Sequence, residues 1–226
     1  MQPNISIIVP VYNELNINSH LQTLPLEDPL VEVIVSDGHP EATTLACIAK
    51  HLSVGRVHST PGRGNGLVDG AAAASGKILL FLHGDTKLPI GAVDMIADTL
   101  RDPNIVGGAF DLGIDAPEFK YRIIEKISSW RSRLTRIPYG DQAIFIRKET
   151  YDRVGGYKRI PLLEEVDLMR RLKKQGFKIK IIPAKVRTSA RRWQRLGVVG
   201  TTVRNWYIIT LYYLGASPHT LAEMYK

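Results

Sequence analysis

The sequence has one cysteine, Cys47, and no apolar run long enough to cross a bilayer that is free of charged and turn residues. A single cysteine excludes an intrachain disulfide and is typical of a reducing compartment. The apolar start at Ile5–Val9 lacks a basic region before it and ends at Pro10, which argues against a signal peptide. We therefore expect a cytoplasmic protein.

Carboxylates are missing from one part of the chain. Between Leu168 and Ala222 there are no acidic residues but twelve Lys and Arg, within a net charge of +8. Such a basic region favours an anionic partner, which could be phosphates, a membrane surface or nucleic acid. A solvated basic face is the simpler alternative.

Length and composition indicate a globular protein. The chain has 226 residues, of which 44% are hydrophobic and 23% charged. These values are typical of a protein that buries a substantial core, most simply in one domain.

Leu79–Leu82 is a four-residue apolar run that predicts a strand buried on both faces. His83 and Asp85 follow it directly, and open α/β sheets bind ligands at the carboxyl ends of their strands. A carboxylate there, with a histidine beside it, suits Mg²⁺ or Mn²⁺ against a diphosphate. The alternative is that Asp85 caps a helix beginning near Pro89 and Gly91.

Two other predicted strands also end in carboxylates. Residues 5–12 lead to Glu14, and residues 31–35 lead to Asp37. Strands alternate with helical patterns over the first ninety or so residues, which predicts an α/β fold with a mostly parallel sheet flanked by helices. Three carboxylates at one sheet edge indicate a ligand site and do not suit a nucleic-acid partner.

Residues 61–66 form a glycine-rich segment ahead of an alanine run at 71–74. Such a loop could hold a phosphate with Arg63 and the helix N-terminus. A flexible turn before a helix is an equal alternative.

The second half contains three predicted helices. Residues 121–134 have helical spacing and one solvent-facing side, and residues 162–172 carry acids first and bases last, as the helix dipole favours. Residues 196–214 are apolar and aromatic. They predict a packed helix or, alternatively, an interfacial one with Trp206, Tyr207, Tyr212 and Tyr213 at a lipid boundary.

Five motifs occur in order along the chain: Val9-Pro10-Val11-Tyr12-Asn13-Glu14, Val35-Ser36-Asp37-Gly38, Leu82-His83-Gly84-Asp85-Thr86, Gly140-Asp141-Gln142 and Leu163-Glu164-Glu165-Val166-Asp167. Together they resemble the family 2 glycosyltransferases, from about Asn4 to Arg195. The resemblance is closest to a bacterial branch with His-x-Asp in place of Asp-x-Asp and a late Ser-Ala-Arg-Arg-Trp segment, here 189–193.

The resemblance implies a glycosyltransferase A-type, Rossmann-like catalytic domain over residues 1–195. Residues 196–226 would be a helical tail that packs on the domain or lies at a membrane or subunit interface, with a homo-oligomer as one alternative. It also implies an inverting transfer from a nucleotide-diphosphate sugar, usually a UDP-sugar, with Mg²⁺ or Mn²⁺. The acceptor hydroxyl would belong to a lipid or a small polyol. A place at the inner face of the membrane follows from a lipid acceptor.

Roles for individual residues come from the same resemblance. The residues implied in donor binding are Pro10, Tyr12, Glu14, Asp37, Arg63, His83, Gly84, Asp85, Arg192 and Trp193. Of these, Asp85 and His83 would hold the metal, and Asp37 would recognise uracil or ribose. Glu165 would be the general base, with Glu164 as its pair and Asp141 on the acceptor side.

The sequence departs from the family pattern in three places. Pro40, Glu41 and Ala42 replace Ser-x-Asp, residues 66–68 replace Gln-Met-Asn, and Glu165 replaces Asp at the base position. These changes leave a non-catalytic nucleotide-sugar-binding protein as the alternative from another functional class. A nucleotidyltransferase is less suitable, because its glycine-rich basic motif near the first strand is absent.

Overall fold

A computed structural model describes residues 4–225, apart from the side chain of Arg192. The described residues form ten strands: β1 Ile5–Val11, β2 Val31–Asp37, β3 Gly55–His58, β4 Ile78–Phe81, β5 Thr86–Lys87, β6 Ile105–Asp111, β7 Ile114–Asp115, β8 Ile144–Arg147, β9 Lys178–Lys185 and β10 Arg187–Ser189. They also form ten α-helices: α1 Ile17–Leu21, α2 Thr43–Cys47, α3 Arg63–Ala73, α4 Ala92–Thr99, α5 Phe119–Thr135, α6 Lys148–Arg153, α7 Glu164–Lys174, α8 Arg191–Leu196, α9 Val198–Tyr213 and α10 Pro218–Tyr225.

Seven strands form the central sheet in the order β3-β2-β1-β4-β8-β6-β9. The first four are parallel to one another, and β6 is parallel to β9. Only β8 is antiparallel to its neighbours β4 and β6. The predicted mostly parallel α/β sheet flanked by helices is therefore confirmed.

Both faces of the central sheet are buried. Along β1, Ile8 belongs to one hydrophobic cluster while Ile7 and Val9 belong to another. The first cluster contains residues of α3, α7 and α9, and the second contains residues of α1 and α4. This double cover explains why β4 is apolar at all four positions.

Residues 63–66 of the glycine-rich segment are helical, so the prediction of a loop over 61–66 is wrong for these four residues. Helix α3 begins at Arg63, and its glycines allow close packing. A Cβ atom on Gly64 would lie 2.6 Å from the Ile160 carbonyl oxygen, and one on Gly70 would lie 2.5 Å from Cγ2 of Ile8. These glycines therefore bring the helix close to the sheet and to the segment before α7.

Asp85 does not cap a helix. The residue that precedes α4 is Gly91, whose φ of 73° suits glycine. The alternative role considered for Asp85 is therefore wrong, and its carboxylate remains available at the strand end.

A small second sheet has the order β5-β10-β7. It joins the segment after β4 to the segment before α8, and the Thr86 hydroxyl donates to Oγ1 of Thr188 at 3.0 Å. This sheet brings Ser189 and the start of α8 to the same edge as Asp85.

The C-terminal helices pack on the body through one face only. Ile208 of α9 and Leu221 of α10 are buried in the first hydrophobic cluster. On the opposite side of α9, Trp206 is 63% exposed and Tyr207 is 54% exposed. Across residues 4–225, no helix is both long and apolar enough to cross a membrane.

Candidate active site

A cavity of about 400 Å³ lies at the carboxyl ends of β1 and β4. Because β8 is antiparallel, the segment that precedes it reaches the same edge. Ten of the residues predicted for the site line this cavity: Pro10, Tyr12, Glu14, Arg63, His83, Gly84, Asp85, Asp141, Glu165 and Trp193. Glu164 and Asp37 do not line it, and the side chain of Arg192 lies outside the described groups.

The end of β1 presents an aromatic ring and a carboxylate. Tyr12 is 60% exposed, and its ring meets that of His39 edge-on at 5.1 Å between centroids. The backbone N–H of Glu14 donates to Oγ1 of Thr44 at 2.9 Å. That bond fixes the turn while leaving the Glu14 side chain at the cavity.

Asp37 has a structural role at the end of β2. Its Oδ1 accepts the N–H of His39 at 2.9 Å, and its Oδ2 accepts the N–H groups of Thr44 and Leu45 at 2.8 and 3.3 Å. The side chain is fully buried. The carboxylate therefore accepts hydrogen bonds from N–H groups in the first turn of α2. The sequence predicts that Asp37 contacts the donor, but the structure keeps it out of the cavity.

Asp85 is exposed at the end of β4, with its Oδ1 3.4 Å from the Thr86 hydroxyl oxygen. Within residues 4–225, no three His, Cys, Asp or Glu side chains converge to enclose a metal. A cation held mainly by substrate phosphates needs only one or two protein carboxylates. Asp85 fits a site in which phosphates of the substrate supply most of the ligands, and His83 lies beside it in the cavity wall.

Arg63 joins two buried glutamates at the start of α7. Its Nε donates to Oε1 of Glu164 at 2.5 Å, and its Nη2 donates to Oε2 of Glu165 at 3.1 Å. Glu164 is 1% exposed and Glu165 is 7% exposed. The prediction placed Arg63 near the base or diphosphate; the structure keeps it in the cavity wall but commits its guanidinium to these carboxylates.

The pKa values of the two glutamates are shifted in opposite directions. Burial and the adjacent Glu165 raise the pKa of Glu164 against the effect of Arg63. Burial also opposes ionisation of Glu165, but Arg63, backbone N–H groups and His83 together hold the pKa of Glu165 below its usual range. Glu165 is therefore an anion at neutral pH that can accept a proton.

The backbone around Glu165 is tightly constrained. Leu163, directly before α7, has φ of 64°, in the left-handed region that a leucine rarely adopts. The N–H of Gly140 donates to Oε1 of Glu165 at 3.4 Å. A Cβ on Gly140 would lie 2.8 Å from Nε2 of His83, so a larger residue at this position would displace the imidazole ring.

Gln142 anchors the loop that carries Asp141. Its Oε1 accepts the Ser132 hydroxyl at 2.7 Å and the N–H of Tyr139 at 3.1 Å. Its Nε2 donates to the Phe110 carbonyl at 3.0 Å. The Gly-Asp-Gln segment thus works through its buried glutamine, which holds the short 3₁₀ turn in place.

Sequence reasoning missed several residues of the cavity wall: Tyr139, Leu162, Thr188, Ser189, Arg191, Thr201, Asn205, Ile208, Ile209 and Tyr225. Five of these belong to α9 and α10. The Tyr225 hydroxyl donates to Oδ1 of Asn205 at 3.0 Å, which joins the two helices at the cavity. The apolar pattern of 196–214 predicted a packed helix, but it did not predict that this helix would line the cavity.

A family model described as "Glycosyl transferase family 2" matches residues 6–159. None of the curated proteins compared with this chain matches it. The family match ends before Glu164 and Glu165, so it does not extend to the start of α7.

Solved structures with a similar fold include a mannosyltransferase, PcManGT from Pyrobaculum calidifontis, in complex with GDP-Man and Mn²⁺. It is 20% identical with a TM-score of 0.58, over 83% of this chain and 57% of that one. S. aureus TarS, residues 1–349, is 16% identical with a TM-score of 0.59, over 83% and 60%. The chain thus spans less than two thirds of either structure, and the likeness shows the glycosyltransferase A-type fold.

Proposed function

Because the chain belongs to glycosyl transferase family 2, we propose that it is an inverting, metal-dependent glycosyltransferase. Its donor would be a nucleotide-diphosphate sugar, most simply a UDP-sugar, and its acceptor a hydroxyl of a lipid or small polyol. The observation that carries the proposal is one cavity lined by both an exposed strand-end carboxylate, Asp85, and a buried ionised one, Glu165.

Glu165 would act as the general base. It takes the proton of the acceptor hydroxyl while that oxygen forms a bond to the anomeric carbon of the sugar. The bond from the anomeric carbon to the diphosphate oxygen breaks in the same displacement, and the nucleoside diphosphate leaves with the electron pair. Attack from the face opposite the leaving group inverts the anomeric configuration.

Asp85 would hold Mg²⁺ or Mn²⁺ with His83 beside it, and the bound ion would offset the negative charge on the leaving diphosphate. Tyr12 offers an exposed ring beside the nucleotide end of the cavity, and Glu14 offers a carboxylate. The GDP-Man and Mn²⁺ of the solved mannosyltransferase support a nucleotide-sugar donor and a divalent metal, and make GDP the second nucleotide to test.

The alternative is a nucleotide-sugar-binding protein without transfer activity. The contacts of Glu165 favour this alternative. Its carboxylate oxygens are already hydrogen-bonded to Arg63 and Gly140, and a general base must also contact the acceptor hydroxyl. The position of Glu165 in the same cavity as Asp85 favours the enzyme, since a binding protein has no need of a base there.

The decisive experiment is calorimetric titration of UDP and of GDP, with and without Mn²⁺, into wild type and Asp85→Ala. We expect binding that requires Mn²⁺ and weakens at least tenfold in the variant, because the carboxylate that completes the metal site is gone. The exposed Asp94→Ala on α4 is the matched control and should bind as wild type does. Equal binding by wild type and Asp85→Ala would remove Asp85 from the donor site.

A further inference from the structure

Helix α5 buries several polar side chains beside Tyr121 and exposes most of its large apolar ones. Its buried side includes Glu125, Ser129 and Ser132, which are 1%, 7% and 0% exposed. Glu125 is satisfied there: Oε1 accepts the N–H of Ile114 and Oε2 accepts Nζ of Lys185, both at 2.8 Å. The side that faces solvent is the apolar one.

The exposed side consists of Phe119, Ile123, Ile127, Trp130 and Leu134, which are 76%, 46%, 50%, 67% and 66% exposed. At about 100° per residue these five lie within roughly 80° of the helix circumference. We call this row the α5 stripe. Five large apolar side chains in one line are more than the scattered exposure that needs no explanation.

Cationic residues border the α5 stripe on both sides. By the same helical geometry, Lys120 and Arg131 lie along one border and Lys126 and Arg133 along the other. Arg131 stacks on the Tyr139 ring and Arg133 donates to Oδ2 of Asp111 at 2.6 Å, so the exposed Lys120 and Lys126 supply the positive charge at the two borders. Glu125 is the only carboxylate in the sequence of α5, and it points inward. The exposed face of this helix is therefore apolar in the middle and positive at its edges.

Helix α5 packs beside the wall of the cavity through the side opposite the stripe. Tyr121 and Ile124 of α5 pack in one small cluster with Trp193 of α8 and Val198 of α9. Trp193 also lines the cavity. The helix that carries the stripe is thus in direct contact with the segment that borders the site.

We propose that the α5 stripe docks on an anionic lipid bilayer, with its apolar residues in the headgroup boundary and the bordering Lys120 and Lys126 on acidic headgroups. An apolar row bordered by bases, with Trp and Phe on the apolar side, is the composition of interfacial helices. A second copy of the chain is a poorer occupant, because antiparallel pairing of two stripes would place like charges against each other along both borders.

The test is sedimentation of the intact protein with vesicles of phosphatidylcholine alone, and with vesicles of equal parts phosphatidylcholine and phosphatidylglycerol. We expect binding to the mixed vesicles only. In the double variant Ile127→Gln, Trp130→Gln the partition coefficient should fall at least tenfold. Both side chains are half or more exposed, so the thermal unfolding temperature should stay at the wild-type value.

Matched controls separate position from chemistry. Leu30→Gln changes an exposed leucine at the amino-terminal end of β2, the opposite edge of the sheet, and should bind as wild type does. Lys126→Glu should weaken binding to mixed vesicles roughly twentyfold. Each unit of charge near an acidic surface contributes about fivefold, and the substitution changes the charge by two units. Lys50→Glu makes the same charge change away from the stripe and should have a much smaller effect.

Two results would overturn the proposal. One is full vesicle binding by the double variant but not by Trp206→Gln, which would place the docking surface on α9. The other is a wild-type dimer in light scattering that the double variant converts to a monomer, which would make a second copy the occupant. Neither measurement depends on catalytic activity, so failure here leaves the proposed transfer reaction standing.

Discussion

Asp85 and Glu165 line the same cavity, yet Asp85 is exposed at a strand end while Glu165 is 7% exposed at the start of α7. The Asp85 carboxylate lies 3.4 Å from the hydroxyl of the neighbouring Thr86. Glu165 meets Arg63 and the N–H of Gly140. Under the proposed function the Asp85 carboxylate would take its partners from the ligand, whereas Glu165 is already held by protein groups.

The largest expected effect comes from neutralising Glu165. Glu165→Gln keeps the shape of the side chain but cannot take a proton, so kcat should fall by about 10²–10⁴. Calorimetry should show donor affinity within about threefold of wild type, because Asp85 and the strand ends are unchanged. A variant that retains wild-type kcat would show that Glu165 is not the base.

The second-largest effect should come from removing Arg63, the cation that is hydrogen-bonded to both glutamates. Arg63→Met leaves two buried carboxylates without their common partner. We expect a loss of about 2 kcal/mol in the free energy of unfolding, below the ~3–5 kcal/mol of fully buried pairs because 36% of the Arg63 side chain is exposed. Chemical denaturation of both proteins measures it, with Arg56→Met as the control.

The same Arg63→Met variant should change the pH dependence of stability and of the transfer rate. In wild type the folded pKa of Glu165 is depressed, so its contribution to stability is present above the unfolded pKa and is lost as pH falls through the folded pKa. Without Arg63 that pKa rises, and the acid limb of the rate profile should move to higher pH. An unmoved acid limb would show that another group titrates.

The smallest effect should come from Glu164→Gln. The amide oxygen can still accept from Nε of Arg63, and the pKa of Glu164 is already raised. A raised folded pKa costs wild type stability as pH rises from the unfolded pKa through the folded pKa. The variant should therefore gain relative stability across that window, in denaturation at several pH values.

In turnover, Glu164→Gln should lower kcat less than tenfold. Its comparison with Glu165→Gln is internal, since the two residues are adjacent and the substitution is the same. If both variants lost activity equally, the division between a base and its structural neighbour would be wrong.

The parallel half of the sheet could be predicted because each strand is a short apolar run that ends in a polar turn. Asp85 and Glu14 were found in the same way, since a carboxylate after a buried strand has a definite place at the sheet edge. Asp37 obeys the same pattern but caps α2, and no sequence feature separates those two outcomes.

Other features depend on contacts between distant segments. The helical start of α3 was missed because Gly64 and Gly66 disfavour a helix locally, while packing against Ile160 and Pro10 requires them there. The strands β5, β7 and β10 have two or three residues each and no periodicity to detect. Asn205 and Tyr225 reach the cavity only because α9 and α10 fold back over it.

Strand β8 has a consequence for the order in which the molecule assembles. It lies between β4 and β6, so the two parallel parts of the sheet are joined only through a strand far along the chain. Pairings between distant residues form slowly because they close long loops. We therefore expect the first four parallel strands to form early, whereas β8 completes the edge that carries Gly140 and brings it to Glu165. A nascent chain would thus form the strand ends that carry Glu14 and Asp85 before Gly140 and Glu165 are in place.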